Sequence, residues 1–218
     1  MRQKRKELRH HAKKKKLHCT ILFNLGIEPN PNFFYLTHYT GYGCLILLKD
    51  REMLLVPQME LQRARATVKG VAIKVYKKDF WDVLRKNAKS RNIGIDFGSI
   101  TLLMMKAIRK ELRGRRFVDI SSLLRQIRSV KTEKEINILK RACSISDSIL
   151  EACFRNFRSF RTETDVADFL QRETIKMGCS LSFPPIVASG PGAAEAHHTP
   201  KDIRLKKGFC IIDFGVKH

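Results

Sequence analysis

The 218-residue sequence lacks closely paired cysteines and long apolar runs. Its six cysteines include no C-x-x-C pair, and most lie in apolar stretches, where a thiol packs as a small hydrophobic group. This spacing speaks against a disulfide framework or a cysteine metal cluster. No apolar segment approaches the roughly 20 residues that a membrane-spanning helix needs. We therefore expect a reduced, cytoplasmic protein without a membrane span or a signal peptide.

The sequence also lacks the residues that kinase chemistry requires. "VAIK" at Val71–Lys74 and "DFG" at Asp213–Gly215 are spelled like protein-kinase signatures. Phosphoryl transfer in that fold needs the aspartate and asparagine of an H-R-D-x-x-x-x-N segment, and the sequence contains no such segment. We therefore interpret both matches as chance.

Acidic residues are scarce, and the excess of positive charge is uneven. The formal net charge is +22, from 43 lysines and arginines against 21 aspartates and glutamates. Residues 1–130 carry +19 of this charge and residues 131–218 carry +3. A basic half permits nucleic-acid binding, but it also fits a solvated surface. Because no aromatic-interleaved basic motif or zinc-finger spacing is present, we favour the solvated surface and keep nucleic-acid binding as the alternative.

Residues 1–128 alternate short apolar segments with helix-compatible ones, which predicts one α/β domain. "CTILF", "VAIKVY" and "NIGIDF" are typical of strands, and "DFWDVLRKNAKS" is typical of a helix. "GCLILL" and "MLLV", separated by "KDRE", predict a β-hairpin. "GIEPNPNFFYL" predicts a turn-rich loop, because Pro29 and Pro31 disfavour a helix.

Long helices replace this alternation after the predicted domain boundary between residues 128 and 129. "KTEKEINILKRACSISDSILEACFRNF" predicts an amphipathic helix that begins with a capping box of Thr132 and Glu135. "RTETDVADFLQRETIKMG" predicts a second helix between Thr162 and Gly178, followed by strands in "FPPIVASG" and "GFCIIDFG". The apolar face predicted for the first helix contains Ile136, Leu139, Cys143, Leu150, Cys153 and Phe157.

One carboxylate, that of Asp213, lies inside the predicted strand "GFCIIDFG". Both faces of this strand are apolar, so we expect the carboxylate to be buried. A buried, ionised carboxylate is unfavourable unless it is paired or binds a metal. An arginine, a backbone amide and a metal ion are all open as its partner. His197, sixteen residues earlier in "HHTP", is by itself compatible with an ordinary hydrogen-bonded surface residue.

Four segments in order resemble the prolidase, aminopeptidase P and creatinase family of pita-bread metallopeptidases. They are "RSVKTEKEI", "FPPIVASG", "HHTP" and "KKGFCIIDFG". Earlier in the chain, "PNFFYLTHYTGYGCLIL" followed by "LLVPQMELQRA" is similar to the N-terminal domain of that family. The resemblance implies a creatinase-like α/β domain over residues 1–128. It implies that residues 129–218 form the first, incomplete part of an α+β pita-bread domain.

The resemblance also implies a chemistry, that of a metal-dependent exopeptidase that hydrolyses the bond before proline. Its cofactors would be two divalent ions of manganese, cobalt or zinc. Asp213 would be the first metal ligand, and His197 would bind the peptide substrate and stabilise the tetrahedral intermediate. The family's other four ligands, an aspartate, a histidine and two glutamates, would lie beyond His218.

Because the sequence does not contain these four ligands, we expect the chain alone to bind no metal pair and to be inactive. Its expected partner is either a second copy of the chain, in a homodimer, or a second polypeptide that completes the catalytic domain. The alternative is a non-catalytic binding module that binds nucleic acid through the basic N-terminal half.

Overall fold

A computed structural model describes residues 2–26 and 28–218. The chain divides into two compact units, of which unit 1 ends at Val130 and unit 2 runs from Lys131 to His218. Each unit has its own hydrophobic core. None of the helices formed by the described residues is both long and apolar enough to cross a membrane.

Unit 1 is built on a mixed sheet with the strand order β4-β3-β2-β1-β5-β6. In this sheet β2 is antiparallel to both of its neighbours, whereas the pairs β1–β5, β5–β6 and β3–β4 are parallel. The predicted hairpin is therefore confirmed as β2 and β3. The strands are β1 (Cys19–Asn24), β2 (Gly43–Leu48), β3 (Glu52–Pro57), β4 (Ala72–Tyr76), β5 (Asn92–Ile95) and β6 (Arg116–Asp119).

Helices cover both faces of this sheet, so its central strands are buried on two sides. Leu22 of β1 packs in the same cluster as residues of α1, α2 and α6, and Ile21 and Phe23 pack with residues of α4 and α5. This arrangement explains why the central strands read as continuous apolar runs. The helices are α1 (Arg2–Lys14), α2 (Pro31–Thr37), α3 (Leu61–Thr67), α4 (Phe80–Asn87), α5 (Leu102–Glu111) and α6 (Ser121–Ser129), with short 3-10 helices at Gln58–Glu60 and Phe97–Ser99.

The loop predicted for "GIEPNPNFFYL" is wrong in its second half, where α2 begins at Pro31. Proline at the first position of a helix loses no hydrogen bond, because the first N–H groups have no partner within the helix. The Asn30 side chain caps this end and accepts hydrogen bonds from the backbone N–H groups of Asn32 (2.8 Å) and Phe33 (3.1 Å). An asparagine cap followed by proline is a helix-start signal rather than a barrier.

Unit 2 contains two helices and two small two-stranded sheets. Both predicted helix starts are confirmed as capping boxes, one of Thr132 with Glu135 and one of Thr162 with Asp165. The pairs β7–β10 and β8–β9 are antiparallel. The elements are α7 (Glu133–Asn156), α8 (Glu163–Lys176), β7 (Ser180–Leu181), β8 (Ile186–Ser189), β9 (Cys210–Asp213) and β10 (Val216–Lys217), with 3-10 helices at Phe157–Ser159 and Gly190–Ala194.

The apolar face predicted for α7 is packed only over its second half, and over its first half it is exposed. Ile136 is 38% exposed and Leu139 is 51% exposed, whereas Ile145 and Ile149 are buried. The reason is that α8 and the strands of unit 2 pack against the C-terminal half of α7. The core that they form contains Ile145, Ile149, Cys153, Val166, Leu170 and Val187.

Candidate functional site

A pocket of about 510 Å³ in unit 2 contains both predicted site residues, His197 and Asp213. It forms where β8 begins and β9 ends, because Ile186 pairs with Asp213 in the antiparallel ladder. The segment after the 3-10 helix Gly190–Ala194 supplies its two histidines. The lining residues are Phe183, Pro184, Pro185, Ile186, His197, His198, Thr199, Pro200 and Asp213.

The expectation that Asp213 is buried is wrong, because its side chain is exposed. Ile211 and Phe209, which point to the same face of β9, are also exposed, by 45% and 90%. The opposite face packs on the core of unit 2 through Cys210 and Ile212. The strand therefore has one packed face and one open face, and the carboxylate lies on the open face.

His197 is exposed and has an unusual backbone conformation. Its φ of 57° lies in the left-handed region, which residues other than glycine rarely adopt. Such conformations persist only where the surroundings impose them, and they are common at functional sites.

His198, for which sequence analysis predicts no role, anchors this loop. Its Nδ1 lies 2.9 Å from a carboxylate oxygen of Glu195, and its Nε2 lies 2.9 Å from Oε2 of Glu163. Glu163 is fully buried at the start of α8, and it also accepts hydrogen bonds from Ser189 in β8 and from the backbone N–H of Lys201. The network thus ties the histidine loop to both α8 and β8.

The hydrogen bonds and charges of this network shift the pKa values of His198, Glu163 and Glu195. The hydrogen bonds to Glu195 and to Glu163 raise the pKa of His198 above its ordinary value. Burial raises the pKa of Glu163, but the hydrogen bonds from His198, Ser189 and Lys201 outweigh it, so the pKa is lowered overall. The bond from His198 and the charge of Lys201 lower the pKa of Glu195. The two carboxylates therefore shift His198 toward its imidazolium form.

The described residues alone do not fit a pair of divalent metal ions. Across residues 2–26 and 28–218, no three side chains of His, Cys, Asp or Glu lie where they could hold one ion together. Hard divalent ions take several oxygen ligands in a defined geometry. Asp213 can supply one of them, so a metal centre at this pocket needs further ligands.

Two family models together match most of the chain. The Creatinase/Prolidase N-terminal domain matches residues 4–130, and the Metallopeptidase family M24 matches residues 137–218. The Xaa-Pro dipeptidase of Pyrococcus furiosus is 28% identical over 188 residues, which cover 85% of this chain and 53% of that protein. The Xaa-Pro dipeptidase of Pyrococcus horikoshii is 28% identical over 197 residues, which cover 87% and 54%. The chain thus spans about half the length of the curated relatives it matches.

Solved structures agree with the sequence comparison. The prolidase from Pyrococcus horikoshii superposes with a TM-score of 0.86 at 23% identity, and the match covers 98% of this chain and 60% of that one. The Xaa-Pro dipeptidase from Bacillus anthracis gives a TM-score of 0.85 at 25% identity, with the same coverage. The predicted fold, a mixed α/β domain followed by part of a pita-bread domain, is confirmed. The chain belongs to the prolidase, aminopeptidase P and creatinase family of pita-bread metallopeptidases.

Proposed function

We propose that this chain provides the N-terminal domain and the first part of the catalytic domain of a metal-dependent exopeptidase that hydrolyses the bond before proline. The domains would be residues 1–128 and 129–218. The observation that carries the proposal is that His197 and Asp213, from separate segments, line one pocket. The relatives named Xaa-Pro dipeptidase support the substrate class, a peptide with proline in second position.

In this proposal each of the two residues has a distinct role. Asp213 would be the first ligand of a centre with two divalent ions of manganese, cobalt or zinc, which would activate the attacking water. The other ligands come from polypeptide outside these 218 residues. His197 donates a hydrogen bond to the substrate and to the oxygen that becomes negative in the tetrahedral intermediate. The network of His198 with Glu163 holds His197 in place for this contact.

We propose that the 218 residues alone are inactive, and that the partner is either a second polypeptide that completes the site or, as the family resemblance implies, a second copy in a homodimer. Two pairs of exposed apolar side chains support this proposal: Ile136 and Leu139 on α7, and Phe209 and Ile211 at β9. Neighbouring apolar side chains that are exposed are typical of surfaces that other polypeptide covers. A cytoplasmic location also stays a prediction.

The test is to isolate the native protein from its source with an antibody raised against unit 1. Intact-mass spectrometry then identifies every polypeptide present, and hydrolysis of Xaa-Pro dipeptides is measured after chelation and after reloading with manganese or cobalt. We expect metal-dependent hydrolysis by the native assembly and none by the recombinant 218-residue chain. A metal-loaded native assembly that leaves Xaa-Pro dipeptides and longer Xaa-Pro peptides intact contradicts the proposal.

Variants of the native assembly test the assigned roles. His197→Ala and Asp213→Asn should each lower kcat/KM by about 100-fold or more, since each removes a group that acts on the reacting atoms. His10→Ala, an exposed histidine of unit 1, is the matched control and should leave kcat/KM unchanged. Equal activity of the control and the two site variants would show that neither His197 nor Asp213 takes part in hydrolysis.

A second candidate function is nucleic-acid binding by unit 1. The observation that favours it is the net charge of +19 on residues 1–130. It uses other residues than the pocket of unit 2, so the two functions can be tested separately.

A further inference from the structure

The segments that precede four strands of unit 1 lie at one edge of its sheet. The strands β1, β5 and β6 are parallel, and β3 runs in the same direction because both β1 and β3 are antiparallel to β2. All four strands therefore begin at the same edge, which we call the amino edge. The segments that lead into them are Lys13–His18, Lys49–Arg51, Lys89–Arg91 and Arg113–Arg115.

The amino edge is strongly basic, whereas the opposite edge is acidic. The four segments contain ten lysines and arginines and a single acidic residue, Asp50, which gives a net charge of +9. The segments at the other ends of the same strands contain four carboxylates and no lysine or arginine. They are Leu25–Asn30, Gln58–Glu60, Asp96–Ser99 and Asp119–Ser121. The remaining strand of the same direction, β4, begins at the amino edge after Lys69 and is followed at the opposite edge by Lys77, Lys78 and Asp79. With β4 included, the amino edge carries a net charge of +10 and the opposite edge one of −3, so the charges are still separated.

Hydrogen bonds show that the basic segments are neighbours. Arg115 donates a hydrogen bond of 2.8 Å from its guanidinium to the backbone oxygen of Lys89. The backbone N–H of Arg116 donates to the oxygen of Arg91 at 2.8 Å, and the Asn92 side chain donates to the oxygen of Lys16 at 3.3 Å. The turns before β1, β5 and β6 therefore form one continuous surface.

Two adjoining pockets extend this surface into a groove. The first, of about 400 Å³, is lined by α1 residues and by His18 and Lys49, with no carboxylate. The second, of about 260 Å³, shares His18 and Lys49 with the first, continues to Lys89 and contains one carboxylate, that of Asp50. We call the two together the basic groove. Its cationic and imidazole side chains are Lys6, Arg9, His10, Lys13, His18, Lys49, Arg51 and Lys89.

Most of this charge is not neutralised within the protein. Arg9 pairs with Glu52 at 3.1 Å. None of the ion pairs found among residues 2–26 and 28–218 involves Lys13, Lys49 or Lys89, and all three side chains are exposed. Clustered like charges repel one another, so a bound polyanion would stabilise this edge.

The width of the amino edge favours a polymer over a small phosphate compound as its ligand. The basic segments reach from β3 to β6, which are four strand spacings apart, or about 19 Å. A nucleic-acid strand presents one phosphate per roughly 3.4 Å of helix axis, so several phosphates can face the edge at once. The four segments contain no Phe, Tyr or Trp on which a base could stack. Contacts would thus be made to phosphates rather than to bases.

We propose that the basic groove binds nucleic acid through its phosphate backbone, without reading the base sequence. This inference does not depend on the proposed peptidase activity, because it involves neither metal nor peptide. It predicts weak binding at physiological salt, with a dissociation constant of about 10⁻⁴ to 10⁻⁶ M and a steep dependence on salt.

The test measures fluorescence anisotropy of a labelled 20-nucleotide RNA with the full 218-residue chain at several KCl concentrations. The groove variant carries Lys6→Gln, Lys13→Gln, Lys49→Gln and Lys89→Gln, all at exposed positions. Each lost phosphate contact lowers the magnitude of the log–log salt slope by about 0.7, so we expect a fall of about 3 and a loss of affinity of at least tenfold. A second RNA of unrelated sequence should bind equally well.

The matched control has the same change in net charge at four exposed lysines away from the groove: Lys74→Gln, Lys77→Gln, Lys78→Gln and Lys106→Gln. It should keep most of the affinity and slope. An equal loss in the control would show that net charge alone is responsible and would overturn the proposal. Absence of RNA binding at about 50 mM KCl, or binding only to phosphatidylserine vesicles, would also overturn it. Circular dichroism of both variants checks that they are folded.

Discussion

Nε2 of His198 lies 2.9 Å from Oε2 of Glu163, and both side chains are buried. Glu163→Ala leaves the imidazole, the Ser189 hydroxyl and two backbone N–H groups without their acceptor. Removing one member of such a buried network costs about 2–4 kcal/mol. We expect this loss in unit 2, measured as faster hydrogen exchange of the α8 and β8 amides by mass spectrometry.

The control for this substitution is Asp168→Ala, an exposed carboxylate on the same helix. It should change the exchange rates of α8 only slightly, because surface substitutions usually alter stability by less than about 0.5 kcal/mol. Equal effects of the two substitutions would contradict the anchoring role of Glu163.

The same network predicts how the stability of unit 2 depends on pH. His198 has a raised pKa, so its contribution is fully present below the ordinary value of 6.5 and is lost as pH rises through the folded value. Glu163 has a lowered pKa, so its contribution is fully present above 4.5 and is lost as pH falls through the folded value. Unit 2 should therefore be most stable between pH 4.5 and 6.5.

Hydrogen exchange at fixed denaturant between pH 4 and 9, corrected for intrinsic exchange rates, measures this profile. His198→Gln should flatten its alkaline side, because glutamine does not titrate. An unchanged profile in the variant would show that another group causes the pH dependence.

Sequence analysis predicted well the features that depend on residues close together in the chain. Thr132 and Glu135 are three positions apart, and their capping box is confirmed because the helix start itself brings them together. Asp213 shows the limit of this reasoning. The alternation of side chains along β9 assigns each residue to one of two faces, but it does not show which face packs on the core. The Asp213 carboxylate lies on the exposed face.

His198 shows a second limit. Its partner Glu163 lies 35 residues earlier, on a different element. No local pattern connects the two, and the sequence offered only two adjacent histidines, of which His197 was preferred by resemblance. The clustering of cations at the amino edge has the same origin, since strand order brings together turns that are far apart in sequence.

A buried arginine should be as important in unit 1 as Glu163 is in unit 2. Arg5 is fully buried, and its Nε donates to Glu52 at 2.5 Å. Its other nitrogens donate to the backbone oxygens of Leu36, Lys69 and Gly70. A lysine cannot reproduce this planar set of donors, so Arg5→Lys should lower the free energy of unfolding of unit 1 by about 2–4 kcal/mol.

Urea unfolding followed by tryptophan fluorescence measures this loss, because Trp81 is the single tryptophan of the chain and lies in unit 1. Arg2→Lys, at an exposed position on the same helix, should leave the transition midpoint in place. Matching midpoints for the two variants would mean that the contacts of Arg5 add little.

The backbone of His197 leads to the last prediction, in which stability and function change in opposite directions. Its φ of 57° is unfavourable for any residue with a Cβ atom, by about 1–2 kcal/mol. Glycine removes this strain but also adds freedom to the unfolded chain, which offsets part of the gain. His197→Gly should therefore stabilise unit 2 by roughly 0.5–1 kcal/mol, whereas His197→Ala, which keeps the Cβ atom, should leave its stability nearly unchanged. Slower hydrogen exchange in unit 2 measures the gain.

If His197 binds substrate as proposed, both variants of the native assembly should lose hydrolysis of Xaa-Pro dipeptides to a similar extent. A glycine variant that is less stable than the alanine variant would show that the loop does not hold His197 in a strained conformation.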